Sequence, residues 1–173
     1  QLFFALNQGD LDSNGAPDFE MVQLSVPSSW YVAEADQILA DDVDGDGDLD
    51  LLLSNLQDTP ILLINHLNQA ANPRHQNRRF LKVVLEGRGP RAGGANRGAL
   101  GAVVALRDCS SNAILQVREV NGGRGNCGQD SPVLFFGGLL PSQCYRVEAS
   151  FLGGGGAVVT QDIRPAQLTD HTL

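Results

Sequence analysis

The stretch ADDVDGDGDLDLLL, residues 40–53, sets Asp42, Asp44, Asp46, Asp48 and Asp50 on alternate positions and then runs directly into an apolar segment. Carboxylates this close repel one another, so a fold keeps such a run only when it stays solvated or a cation neutralises it. Counting Asp42 as position 1, oxygen side chains fall at positions 1, 3, 5 and 9 (Asp42, Asp44, Asp46, Asp50), with Gly47 at position 6. Ca²⁺ takes six to eight oxygens, and a tightly wound loop aims alternate side chains inward while a glycine allows the sharp turn. Position 7 offers its backbone carbonyl, here that of Asp48.

A second copy lies upstream in DLDSNGAPDF, residues 10–19. Asp10, Asp12, Asn14 and Asp18 occupy positions 1, 3, 5 and 9, Gly15 occupies position 6, and the carbonyl at position 7 belongs to Ala16. An EF-hand would carry a bidentate Glu at position 12, whereas that position is Met21 in one loop and Leu53 in the other. Each loop is expected to lead into a strand and to hold one Ca²⁺.

Composition agrees with that chemistry. The 173 residues are 42% hydrophobic, which suits one or two globular units with real cores. The net charge of −8 argues against nucleic acid or an anionic membrane surface as partner. Much of the acidity is local, in Asp10, Asp12, Asp18 and in residues 41–50, which favours sites over a generally acidic surface. No apolar run approaches the length of a membrane-spanning helix, and QLFFALNQGD at the start has no basic flank of the signal-peptide kind.

Short β-like runs fill the chain. LFFAL, FEMVQLSV, LDLLLSN and PILLINH, separated by Asp/Gly loops, define a first segment, residues 1–66. Residues 67–78, polar and holding Pro73, read as a linker. From residue 79 to 173 come FLKVVLEG, ALGAVVALRD, AILQVREV, VLFFGGL, CYRVEASF and AVVTQDI between Gly-rich turns, the spacing of an antiparallel sandwich or barrel. The fold class expected is all-β. Residues 28–40, SSWYVAEADQILA, fit a loose helical period behind a Ser cap, but their β-branched and aromatic start favours a strand, and both readings stay open.

DVDGDGDLDLLL followed by TPILLINH resembles an FG-GAP or VCBS-type repeat, the calcium-binding unit of integrin-like β-propellers, and DLDSNGAPDF followed by EMVQLS resembles a more divergent copy. RFLKVVLEGRGPRAGGANRGALGAVVALRD, QVREVNGGRGNCGQDSPVLFFGGL and VVTQDIRPAQLTDHTL resemble the ASPIC/UnbV domain that follows such repeats in secreted proteins of the cartilage acidic protein family. The resemblance implies an extracellular, calcium-stabilised module, secreted or at the cell surface, in which each Asp loop joins two strands of a blade.

Cys109, Cys127 and Cys144 match no zinc spacing. In an up-and-down strand order, two strands separate RDCSSNA from LPSQCY, placing Cys109 and Cys144 at one end of the sheet and GGRGNCGQ at the other. A Cys109–Cys144 disulfide is expected, with Cys127 free or paired between chains. His66, His75 and His171 form no ligand or triad motif, and neither Gly-rich stretch is followed by the Lys-Ser/Thr of a phosphate loop. An enzyme is therefore not expected.

A propeller needs at least about four blades of roughly 40 residues, and the first segment offers room for less than two. Bare edges at LFFAL or PILLINH would recruit other chains. Self-association through strand edges, head to tail in a filament of a surface or matrix assembly, is the expected role. The alternative is a monomeric carbohydrate- or protein-binding module, for which seven Phe, two Tyr and one Trp offer little sugar-stacking surface.

Overall fold

A computed structural model of the chain describes residues 2–9, 18–24, 35–55, 59–67, 78–89, 94–123, 128–152, 156–168 and 172–173. The fold is all-β, as the alternating apolar runs predict, and no α-helix occurs among the described residues. The strands are β1 (Leu2–Gly9), β2 (Asp18–Leu24), β3 (Ala35–Asp41), β4 (Asp50–Asn55), β5 (Ile61–Leu63), β6 (Arg79–Val83), β7 (Val103–Asp108), β8 (Ile114–Glu119), β9 (Leu134–Leu139), β10 (Tyr145–Ser150) and β11 (Val158–Ile163). All strand pairs are antiparallel, and among the described residues no sheet closes into a barrel.

In the first segment β1 pairs with β2, and β3, β4 and β5 form a three-stranded sheet in that order. The helical option for residues 28–40 is resolved from residue 35 on. Ala35–Asp41 is a strand whose Ile38, Leu39 and Ala40 lie opposite Leu53, Leu52 and Leu51 of β4, so cross-strand pairing overrides the loose helical period. The linker expected at residues 67–78 falls outside the described residues apart from Leu67 and Arg78.

Residues 79–173 build two sheets over one core. The larger has the order β11-β10-β7-β8 and the smaller pairs β6 with β9. Leu81 and Val83 of β6, Leu134, Phe136 and Leu139 of β9, and Val104, Leu106, Tyr145 and Val147 of the larger sheet belong to one buried cluster. Both edges of the smaller sheet are covered. On the β6 side Lys82 O accepts from Leu173 N, and Val84 N donates to Leu173 O. On the β9 side the carbonyls of Phe135 and Gly137 accept from the side chains of Arg118 and Gln116.

The up-and-down order expected for this part is not the one found. β9 leaves the larger sheet to pair with β6, and β10 returns to pair with β7. Leu134, Phe135 and Phe136 are buried on successive positions, so both faces of β9 are covered, whereas β8 is exposed along nearly its whole length. A strand that is apolar on both faces belongs in a covering layer rather than in the meander.

The Cys109–Cys144 disulfide is present, with Cα atoms 5.5 Å apart, and its geometric origin differs from the one expected. Asp108 at the end of β7 lies opposite Tyr145 at the start of β10, so the next pair in register is Cys109 with Cys144. Direct neighbours in the sheet, not alternate turns of a meander, bring the sulfurs together. Cys127 lies outside the described residues.

Beside the disulfide, Asp108 accepts the amides and hydroxyls of Ser110 and Ser111 and the side-chain amide of Gln143. The Ser110 hydroxyl, followed by the other donors, holds this carboxyl well below the ordinary carboxylate value of 3.8. Its contribution to stability is therefore complete above that value and is lost as pH falls below about 4 toward the folded-state pKa. Urea denaturation between pH 7 and pH 3 is expected to show this acid loss in the wild type and a shallower one in Asp108→Asn. Equal slopes for the two proteins would contradict it.

Candidate metal centre

The loop of residues 42–49 connects β3 to β4, closed at its base by the Asp41 and Asp50 pair. Two glycines turn it: Gly45 at φ 78° and Gly47 at φ 92° adopt the left-handed backbone that a side chain would strain. Two of the alternating aspartates also act locally, because a short carboxylate can accept an amide two residues on. Asp44 Oδ1 accepts from Asp46 N at 3.2 Å and Asp46 Oδ1 from Asp48 N at 3.1 Å.

Longer reaches give the loop its depth. Asp50 is 1% exposed, and both its oxygens are engaged: Oδ2 accepts from Val43 N at 2.9 Å and Oδ1 from Asn65 N at 2.8 Å. Asn65 also donates through Nδ2 to Leu49 O at 3.4 Å. Asp42 is 8% exposed; its Oδ1 takes a 3.4 Å contact from Gly47 N, and Lys82 Nζ of β6 stands 3.0 Å from its Oδ2. That ion pair is close but out of line for a hydrogen bond, leaving Oδ2 with charge compensation and no donated proton.

Asp42, Asp44 and Asp50 bring carboxylate oxygens within 4.8 Å of one another. Asp46, expected as a fourth ligand, lies outside that set, with one oxygen committed to Asp48 N. Of the upstream loop, Asp10, Asp12, Asn14 and Ala16 fall outside the described residues, and only the backbone of Asp18, opposite Gly9 at the start of β2, is described.

The donor set fits a hard divalent cation. Three carboxylates and the Lys82 ammonium leave a formal charge of −2, and buried charges are stable only when compensated. The donors are all oxygen, without imidazole or thiolate, which selects Ca²⁺ or Mg²⁺ over the transition metals. A calcium ion here would be held by Asp42, Asp44 and Asp50, and free lone pairs remain on each oxygen that accepts one amide. Its role would be charge neutralisation of the loop. The other grouping of potential ligands, Cys109, Cys144 and Asp162, holds none of this chemistry, because its two sulfurs are bonded to each other.

Two residues of the site are not evident from its motif. Asn65 belongs to PILLINH, where it reads as a strand-end polar residue. Lys82 lies forty positions from Asp42 in an apolar strand, and no local pattern marks it. Of the histidines, His66 is exposed and outside the cluster, while His75 and His171 lie outside the described residues. In the stretch weighed as a phosphate loop, Gly87 N donates to Arg97 O and Gly89 N to Ala95 O, backbone pairings between the two arms of one loop. Arg88 and Arg97 are exposed there, and Arg91 lies outside the described residues.

Comparison of the chain with family models, with curated proteins and with solved structures finds no match in any of the three.

Proposed function

We propose that the chain is a non-catalytic, extracellular, calcium-stabilised structural or adhesion module, of the FG-GAP type in residues 1–66 and the ASPIC/UnbV type in residues 79–173, and that it serves as a subunit of a head-to-tail assembly. The observation that carries this reading is the cluster of buried Asp42 and Asp50 with exposed Asp44 on a loop with two left-handed glycines. The same ligand spacing in residues 10–18 supports a second ion. The disulfide suits an oxidising compartment, and no helix among the described residues is long and apolar enough to cross a membrane.

Assembly is supported by sheet edges. Among the described residues β8 and β11 are the two outer strands of the four-stranded sheet, and they expose Ile114, Leu115 and Val117 on one edge and Val158 and Val159 on the other. Among the described residues β5, within PILLINH, pairs only with β4, and β1, which contains LFFAL, pairs only with β2. Such edges accept a further strand, and joining two different edges builds an open filament where the rotation between subunits does not close into a ring.

A second reading, a monomeric module that binds a carbohydrate or protein, is favoured by one feature. A cleft of about 570 Å³ lies between Leu39, Val43 and Leu52 on one side and Gln129, Ser131 and Pro132 on the other. Apolar walls with a few polar groups are the usual lining of a ligand site. Trp30 and Tyr31, the best candidates in the sequence for exposed stacking aromatics, lie outside the described residues.

Light scattering in calcium and in EDTA separates the readings. The assembly predicts large particles in calcium that chelation dissociates, together with a melting temperature lowered by EDTA. A monodisperse monomer in both conditions favours the binding module.

A further inference from the structure

Lys82 stands out among the cations of the described residues because it reaches from one half of the chain into the acidic loop of the other. Its backbone is fixed on both sides. It lies opposite Phe135 of β9, and its carbonyl accepts from Leu173 N. Its side chain passes over the Phe80 ring, with Nζ 5.4 Å from the centroid, and Phe80 is stacked on Phe135 at 5.6 Å. The ammonium is thereby presented to Asp42 from a packed aromatic platform rather than from a free surface chain.

The partner makes this placement matter. The Asp42 side chain has no exposed surface, and its Oδ2 receives no hydrogen bond, so the Lys82 charge is its compensation. Asp44 and Asp50 lie within the same 4.8 Å cluster, and no ion pair within 4.0 Å joins Lys82 to either. The ammonium therefore meets the carboxylate cluster on the Asp42 side.

We propose that Lys82 is a tethered counter-ion of the Asp42–Asp50 loop, a residue that sets its calcium affinity and holds the loop to β6 when calcium is absent. The proposal rests on the calcium reading above and adds to it a control residue outside the loop. The sign follows from electrostatics. With calcium absent the ammonium offsets part of the carboxylate repulsion and stabilises the folded loop. With calcium bound, the same ammonium stands near a divalent cation and opposes it. The fixed charge thus stabilises the calcium-free form more than the loaded form, and by linkage it weakens binding. The cost in affinity is balanced by a loop that keeps its fold at low calcium.

The test is a calorimetric titration of CaCl₂ into metal-free wild type, Lys82→Met, Lys82→Gln and Lys82→Arg, with melting temperatures measured in EDTA. Lys82→Met is expected to bind calcium about tenfold more tightly than wild type, the size of an ordinary coupling between two sites, and to melt lower in EDTA. Lys82→Gln, which keeps a polar contact to Asp42 without the charge, is expected to move affinity the same way and carries the comparison should the Met variant fail to fold without calcium. Lys82→Arg is expected to stay near wild type. Calcium binding by wild type with unchanged or weaker affinity in both neutral variants overturns the role of Lys82 alone. Absence of calcium binding in all four proteins overturns the calcium reading and this proposal with it.

Discussion

Reduction of the Cys109–Cys144 disulfide, or its replacement by a pair of alanines, is expected to cost about 3–4 kcal/mol of stability, the loop-closure value for a cross-link of this span. The cysteines are 35 positions apart in sequence, and the loop between them contains β8 and β9. The bridge therefore restrains the unfolded chain across the strand that covers the core and the strand at the sheet edge. In the folded state it adds little that register does not already provide, because Tyr145 lies opposite Asp108 and Cys109 N donates to Cys144 O at 3.3 Å. The double alanine variant should accordingly keep the fold, with an unchanged far-UV spectrum, and lose stability in urea denaturation. A loss below about 1 kcal/mol would mean that the unfolded chain is already compact in this region.

The second large effect is expected at Asp50. Asp50→Ala removes the acceptor of two amides, Val43 N and Asn65 N, in a place where the side chain is 1% exposed. An orphaned donor costs about 1–3 kcal/mol when fully buried, and because both contacts are only part-buried the substitution should cost about 2–4 kcal/mol locally. The readout is amide hydrogen exchange, in which the protection of Val43 and Asn65 should fall together although the two residues lie on different loops. Asp50→Asn, which retains one acceptor oxygen, should cost less while still removing one negative charge from the carboxylate cluster. Unchanged protection at Val43 and Asn65 in Asp50→Ala would show that the carboxylate does not organise the loop.

What the sequence reveals of this molecule follows from the range of the interactions involved. The Asp loop is legible because its geometry is local: alternate carboxylates, a glycine at the turn and an apolar strand after it lie within a dozen residues. Asp46 is the exception within that span, since it lies outside the group of Asp42, Asp44 and Asp50, whose carboxylate oxygens are within 4.8 Å of one another. The all-β class is legible from alternation, yet strand order is not. β9 pairs with β6 across about fifty residues, and only its burial on successive positions hints that it belongs to another layer. The disulfide shows the difference well: Cys109 and Cys144 are the expected pair, but they meet because β10 returns to β7, a contact that no periodicity encodes. Asn65 and Lys82 complete the site from fifteen and thirty-two positions beyond Asp50, and each occupies a segment whose own pattern is that of an ordinary strand or strand end.

The central claim is that calcium completes the fold of the acidic loop, and titration calorimetry of CaCl₂ into metal-free protein tests it most directly. Saturable binding is predicted with dissociation constants of about 10⁻⁴ to 10⁻³ M, the range of extracellular calcium modules, and with loss of one site in Asp44→Ala. Absence of binding heat up to millimolar calcium, with the same melting temperature in calcium and in EDTA, would contradict it.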